Sequence, residues 1–214
     1  MEQYLPTIKD LLDIKDELYA KGLITPFGGN ISVRCPDDPK KVLITPGSVY
    51  KKNLRPDQFL CVDLEGNILN ESKYKTTSET PIHLTILRDR PDINAVIHTH
   101  PVYTTIVGLT EIEFLPITSD AVIVGKLPIV EWTRTGTAES GQTLSQAFSK
   151  GGLFAVIRNH GLVVGGPTLH FASGITSMIE DTCKELVICK SMGITPKLLS
   201  KEDIDYIHMR RGQV

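Results

Sequence analysis

Apolar positions recur at helical spacing at Ile8, Leu11, Leu12, Leu18 and Tyr19, with Gly22 just beyond them. This predicts an amphipathic helix over residues from about 6 to 21, ended by the glycine. In LITPFGGNISVR, Pro26 and the Gly28-Gly29 pair break regular structure before a short strand from Ile31 to Arg34. KVLITPG and FLCVDLEGNIL pattern as further strands, the second holding a hairpin turned at Glu65-Gly66-Asn67. TTSETPIHLTILRDRPD predicts a helix capped by Thr77 or Ser78, with Glu79 and Pro81 in its first turn. The run NAVIHTH directly after it predicts a strand, and a second helix is expected from Pro101.

From Phe114 to Trp132 the chain is apolar with little helical period and is read as strands. TAESGQTLSQAFSKGG predicts a helix stopped by Gly151-Gly152, and LFAVIRNHGLVVGG two strands meeting near Asn159-His160-Gly161. Positions 171, 172, 175, 178, 179, 183, 186 and 187 share one helical face, which gives a long helix from Leu169 to Met192. Ser200 caps a last short one. There is no internal repeat, low-complexity tract or Ser/Pro-rich linker, so residues 1–214 are expected to form one domain. Helices and strands alternate, but several strand pairs are joined by turns too short for a parallel crossover. The sheet is therefore expected to be mixed or largely antiparallel, with helices on its faces.

Composition narrows the partners. The chain has 214 residues, 41% of them hydrophobic, enough for one sizeable core. The net charge is −2, from 23 basic and 25 acidic residues, and neither sign forms a run of five. That leaves no footprint for nucleic acid or a membrane surface and points to a small-molecule substrate. No stretch approaches the roughly 18 to 20 apolar residues of a membrane span. Cys35, Cys61, Cys183 and Cys189 show no CxxC spacing, and MEQYLPTIKD has neither a basic nor an apolar leader pattern. Free thiols in a cytoplasmic protein are the expectation.

The candidate chemistry starts at VIHTHP. Successive strand side chains alternate faces, so His98 and His100 point the same way, roughly 7 Å apart, and both can reach one ion. Taken alone, a His-x-His at a strand end reads as polar rim. His160, again at a strand end beside glycine, and Glu79 at a helix start favour a metal: three neutral imidazoles with an exchangeable fourth ligand suit a catalytic divalent ion, Zn²⁺ or a similar one. FGGN (27 to 30), TPGS (45 to 48) and TTS (76 to 78) form a second feature. Their backbone N–H groups, hydroxyls, the Asn30 amide and a helix N-terminus can bind phosphate without a basic cluster. Ordinary turns and a helix cap are the simpler reading of the same loops.

GLITPFGGNISVR, VLITPGSVYKKN, TTSETPIH, AVIHTHP and VIRNHGLVVGG occur in an order and spacing that resembles the class II aldolase family. That family includes L-fuculose-phosphate aldolase, L-rhamnulose-phosphate aldolase and L-ribulose-5-phosphate 4-epimerase. The resemblance spans roughly residues 5 to 192. It implies a three-layer α/β/α fold around a mainly antiparallel sheet, usually in a cyclic homotetramer with active sites at subunit interfaces. It also implies a divalent metal, commonly zinc, with Mn²⁺ or Co²⁺ as alternatives, on His98, His100 and His160. Glu79 matches the family glutamate that ligates the resting metal and acts as base. Gly29 and Asn30 match the phosphate loop, Gly47 the second loop, and Thr77 with Ser78 the hydroxyl pair.

The implied activity is reversible cleavage of an L-fuculose 1-phosphate-like ketose to dihydroxyacetone phosphate and an aldehyde. It runs through an enediolate whose charge a Lewis-acid metal stabilises. Two departures stand out. Phe27 lies where the fuculose enzyme has a phosphate-loop threonine, and PITSDAVIVG, with Ser119 and Asp120, lacks the family's donor tyrosine. Tyr206 sits too early to match a C-terminal tyrosine, which leaves Tyr50, His208 and Asp120 as alternative donors. An altered substrate would fit a metal-dependent decarboxylase of a hydroxylated aromatic or phosphorylated 3-oxo acid, the second reading. Dehydratase and epimerase readings rank below it, since the 4-epimerases usually carry aspartate at position 79. A non-catalytic interaction domain, like the adducin head, ranks last because every metal ligand is present. His83, one turn after Glu79, either supports it or is a partly exposed helix histidine. Trp132 lines the cleft or packs beneath it. The tail YIHMRRGQV closes over a neighbouring site or is a disordered basic end.

Overall fold

Seven strands form one sheet in the order β3-β2-β1-β4-β7-β6-β5. The strands are β1 (Asn30–Arg34), β2 (Lys41–Ile44), β3 (Leu60–Asp63), β4 (Ala95–Thr99), β5 (Ile129–Val130), β6 (Phe154–Ile157) and β7 (Gly161–Gly166). Every pairing is antiparallel except β5 with β6. This is a computed structural model, and it describes residues 1–149 and 151–211; the end of the tail, residues 212–214, lies outside the described residues.

Period-two alternation splits the sheet's side chains between two cores. Ile31, Leu43, Ile97 and Leu162 face one way, onto α1 (Leu5–Ala20), α3 (Val102–Leu109), α4 (Ser119–Val124) and α6 (Leu169–Ser191). Val42, Ile44, Val96 and Val163 face the other, onto α2 (Thr80–Asp89) and α5 (Ala138–Phe148). The result is the three-layer arrangement expected when a sheet buries both faces. The last helix, α7 (Lys201–Arg211), packs on α4, and Ser200 Oγ accepts from the Asp203 N–H as its cap.

Three expectations are corrected. Residues 119 to 124 are a helix, α4, where strands were predicted. Thr118 caps it by accepting from the Ala121 N–H, and Asp120 sits in its first turn. Burial of Ala121, Val122 and Val124 outweighs the strand preference of Val and Ile. The other apolar part of that stretch contributes only the two residues of β5. The second correction concerns α2. Its N-cap is Glu79, with no side-chain cap bond, while Thr77 Oγ1 accepts from the Glu79 N–H at 3.3 Å. Glu79 thus precedes the first turn instead of lying inside it. Third, the return arm of the 65–67 hairpin makes a single bridge, Val62 to Ile68, and no strand.

Candidate metal centre

Cross-strand register gathers the site at one end of β4. His98 lies opposite Asn30 on β1 and Val163 on β7, so Asn30 and His98 share the face that looks at α2. His160 sits in the β6–β7 turn, reached through Asn159 at φ 60. Gly161 lets β7 close on this end: a Cβ there would lie 2.3 Å from the Thr99 carbonyl and 3.0 and 3.3 Å from the His100 and His98 rings. The three imidazoles offer nitrogens that all lie within 4.8 Å of one another. His98 Nε2 is 2.9 Å from His100 Nε2.

The electronic state of these rings follows from burial. His98 is fully buried and held well below its usual pKa, first by burial and then by the neighbouring imidazoles. Burial lowers His100 and brings His160 down to about 4. At neutral pH all three rings are uncharged, and each keeps one nitrogen lone pair. His98 Nδ1–H donates to the Leu162 carbonyl at 3.0 Å, which leaves Nε2, the atom 2.9 Å from His100 Nε2, as the ring's acceptor. Glu79 Oε2 is buried, has no hydrogen-bond partner among the described residues, and stands 3.9 Å from His98 Nε2. Burial pushes the Glu79 carboxyl up to about 7. Three convergent imidazoles, with an orphaned carboxylate oxygen 3.9 Å from one of them, fit a divalent cation, whose charge would draw Glu79 back toward the ionised form.

The centre opens into a cleft of about 730 Å³ lined by residues 27–30, 47–48 and 75–79 with His100, His160, Thr135 and Lys51. All the loop residues expected from the sequence, Gly29, Asn30, Gly47, Thr77 and Ser78, reach this cleft. Gly47 donates its N–H to the Lys75 carbonyl at 2.9 Å, and a Cβ there would meet the Thr76 carbonyl at 2.7 Å, so the two loops touch only because position 47 has no side chain. Phe27 is exposed at the mouth, edge-on to Tyr50 with ring centroids 5.9 Å apart. Asp120, Tyr206 and His208 are not among the described residues that line the cleft, and neither is Trp132, which is half exposed.

His83 is neither exposed nor bonded through its ring to Glu79. It is fully buried between Asn30 Oδ1, 2.6 Å from Nε2, and Ser32 Oγ, 2.7 Å from Nδ1. Because Asn30 Nδ2 donates to Thr77 Oγ1 at 3.2 Å, its Oδ1 faces the ring, so Nε2 carries the proton and Nδ1 accepts from Ser32. Sequence reasoning missed this link and also missed Lys51, Lys75 and Thr135 at the cleft. The only sequence signal for Lys51 is its place five residues after Pro46 in the second loop.

The family model for the Class II Aldolase and Adducin N-terminal domain matches residues 9–187. The chain belongs to this family. Among class II aldolase relatives, the L-fuculose phosphate aldolase of Methanococcus maripaludis is 30% identical over 168 residues, 78% of this chain and 88% of that one. A 3-oxo-tetronate 4-phosphate decarboxylase of Haemophilus influenzae is 30% identical over 182 residues, 81% of this chain and 83% of the relative. The solved L-fuculose 1-phosphate aldolase superposes with a TM-score of 0.83 at 25% identity, covering 95% of each chain. The three-layer fold with its mainly antiparallel sheet is therefore the class II aldolase fold.

Proposed function

We propose that the chain is a metal-dependent lyase that breaks a C–C bond beside a carbonyl in a small phosphorylated substrate. The leading substrate is an L-fuculose 1-phosphate-like ketose, released as dihydroxyacetone phosphate and an aldehyde. The observation that carries this reading is the cluster of three neutral imidazoles with the orphaned Glu79 Oε2 turned toward it. His98, His100 and His160 would hold the ion, Zn²⁺ first and Mn²⁺ or Co²⁺ as alternatives, with Glu79 as a further ligand at rest. A divalent ion there supplies Lewis-acid charge to an oxygen that turns negative as the bond beside its carbonyl breaks.

Glu79, the carboxylate turned toward the imidazole cluster, is the group placed to take and return the proton. Gly29, Asn30, Thr77 and Ser78 bind the phosphate through N–H and O–H donors, and Gly47, whose own N–H goes to the Lys75 carbonyl, keeps the second loop close beside them; Asn30 Oδ1 accepts from His83 Nε2–H, which turns the Asn30 amide nitrogen to the Thr77 side. The reading includes a homotetramer with sites between subunits, as the family resemblance implies. Light scattering in solution tests it. A cytoplasmic location belongs to the same reading, supported by four free cysteines; no helix among the described residues is long and apolar enough to cross a membrane.

Decarboxylation is the second reading. Phe27 at the cleft mouth, where a hydroxyl would serve phosphate, favours it, as does a decarboxylase relative as similar as the aldolase one. The experiment is a panel of ketose 1-phosphates and hydroxy or oxo acids on metal-loaded protein, with triose phosphate and CO₂ read in parallel. Triose phosphate is the expected product. CO₂ without triose phosphate transfers the site to the second reading, and neither product from any member of the panel refutes both.

A further inference from the structure

Lys51 is the cleft's buried cation. Only 2% of its surface is exposed, although it follows the glycine loop in a stretch that reads as a surface turn. Its backbone N–H donates to the Pro26 carbonyl at 2.8 Å, and its ammonium donates to the Pro46 carbonyl at 2.5 Å. One residue thus ties the 26–30 loop to the 46–48 loop and places its charge between them. An ammonium has three N–H donors, and the Pro46 carbonyl takes one. Among the described residues no carboxylate pairs with it.

A buried ammonium without a counter-ion is costly, because protein dipoles replace only part of its hydration. Burial brings the Lys51 ammonium down to about 8, which leaves it mostly charged at neutral pH. The groups it shares the cleft with, Asn30, Thr77 and Ser78, offer further donors. An anion fits this surrounding; an uncharged group leaves the ammonium unpaired.

We infer that Lys51 is the specificity-determining cation of this cleft, recognising the phosphoryl group of the substrate with its free N–H donors and discriminating against the unphosphorylated analogue. The inference rests on the lyase reading of the same cleft. It also explains how Phe27 can replace a hydroxyl donor: a buried point charge supplies more attraction to a dianion than a neutral hydroxyl does.

The test uses the full chain loaded with Zn²⁺ and inorganic phosphate as the probe, in titration calorimetry of the native protein, Lys51→Met and Lys51→Arg. Zinc content and circular dichroism are measured on each. The native protein is expected to bind phosphate, and Lys51→Met to bind it about tenfold to a hundredfold more weakly, the span of one hydrogen bond to a charged group. Lys51→Arg keeps the affinity within a few fold, and zinc content is the same in all three. A ketose 1-phosphate displaces the bound phosphate, whereas the free ketose does not. A residue that merely ties the loops would lower stability and leave the phosphate affinity of folded Lys51→Met unchanged; that result overturns the inference, as does a native protein that takes no phosphate or a bound phosphate that the ketose phosphate fails to displace. Should Lys51→Met not fold, the Lys51 side-chain NMR signal, identified by its loss in Lys51→Arg, decides: movement on adding phosphate supports the inference and immobility refutes it. Lys51-dependent phosphate binding in a protein that turns over no substrate leaves this inference standing and removes the lyase reading.

Discussion

Replacing His83 with leucine removes a ring that has no exposed surface and two short bonds, 2.6 Å to Asn30 Oδ1 and 2.7 Å to Ser32 Oγ. Leucine is of similar volume, so the main loss is two buried oxygens without partners. Each abandoned group costs about 1–3 kcal/mol, and the better transfer of leucine offsets part of this, for a net loss of about 2–4 kcal/mol. Urea unfolding near neutral pH reads it directly. The gap between native and variant should also depend on pH. Burial lowers His83 to about 3 from the 6.5 of an ordinary histidine, so below 6.5 the unfolded chain binds a proton that the folded chain refuses. That contribution to stability is present above the unfolded pKa and lost as pH falls toward 3. From pH 6.5 to about 5 the native protein loses roughly 1.5 × 1.36, or about 2 kcal/mol, through this one group, and the variant does not. His98 and His160 titrate in both proteins and cancel in the difference. A variant as stable as the native protein, or a gap that stays constant or widens on acidification, refutes the Asn30–His83–Ser32 network as drawn. With the network lost, Asn30 is free to turn, and KM for a phosphorylated substrate should rise more than kcat falls.

Glu79→Gln keeps the shape of the carboxyl but cannot exchange a proton as a carboxylate does. Turnover is expected to fall by about a hundredfold to ten-thousandfold, read by triose phosphate release, while the fold seen by circular dichroism is unchanged. Gly161→Ala puts a methyl 2.3 Å from the Thr99 carbonyl; thermal and urea unfolding should show a loss of about 1–3 kcal/mol, with weaker zinc binding as the His98 and His100 rings are pushed. Chelation should abolish activity, and added Zn²⁺ should restore it. Below neutral pH, metal affinity should fall only as the imidazoles take protons, and because burial holds His160 near 4 that loss should set in at lower pH than for an exposed histidine.

The features of the fold and site that are legible in the sequence are those governed by short-range rules. Two-residue alternation pointed His98 and His100 at one ion, and their rings do meet although the strand ends at Thr99 and His100 lies just past it; the glycine after His160 marked the turn that brings it back. The helix α1 was visible from its apolar face and α6 likewise, with glycine stops marking the ends of α1 and α5. What stayed hidden depends on neighbours far along the chain. His83 meets Asn30 only because β1 and β4 pair with Asn30 opposite His98 and α2 packs across that face. Lys51 is a surface lysine by composition and becomes buried because its loop folds back under residues 26 and 46. The α4 segment reads as a strand because Val and Ile dominate it; the Thr118 cap was the signal that pointed to a helix. Glu79 falls one residue ahead of the expected position because Thr77 bonds its N–H before the helix begins.

The central claim is that His98, His100 and His160 together hold one catalytic ion. The most direct measurement is a titration of metal-stripped protein with Zn²⁺, following bound metal by mass spectrometry and turnover of the active substrate in the same samples. One equivalent per chain should bind, activity should rise in step and saturate there, and His160→Ala should lose both. Activity that is full before metal is added, or zinc that still binds at one equivalent after all three histidines are replaced by alanine, contradicts the claim.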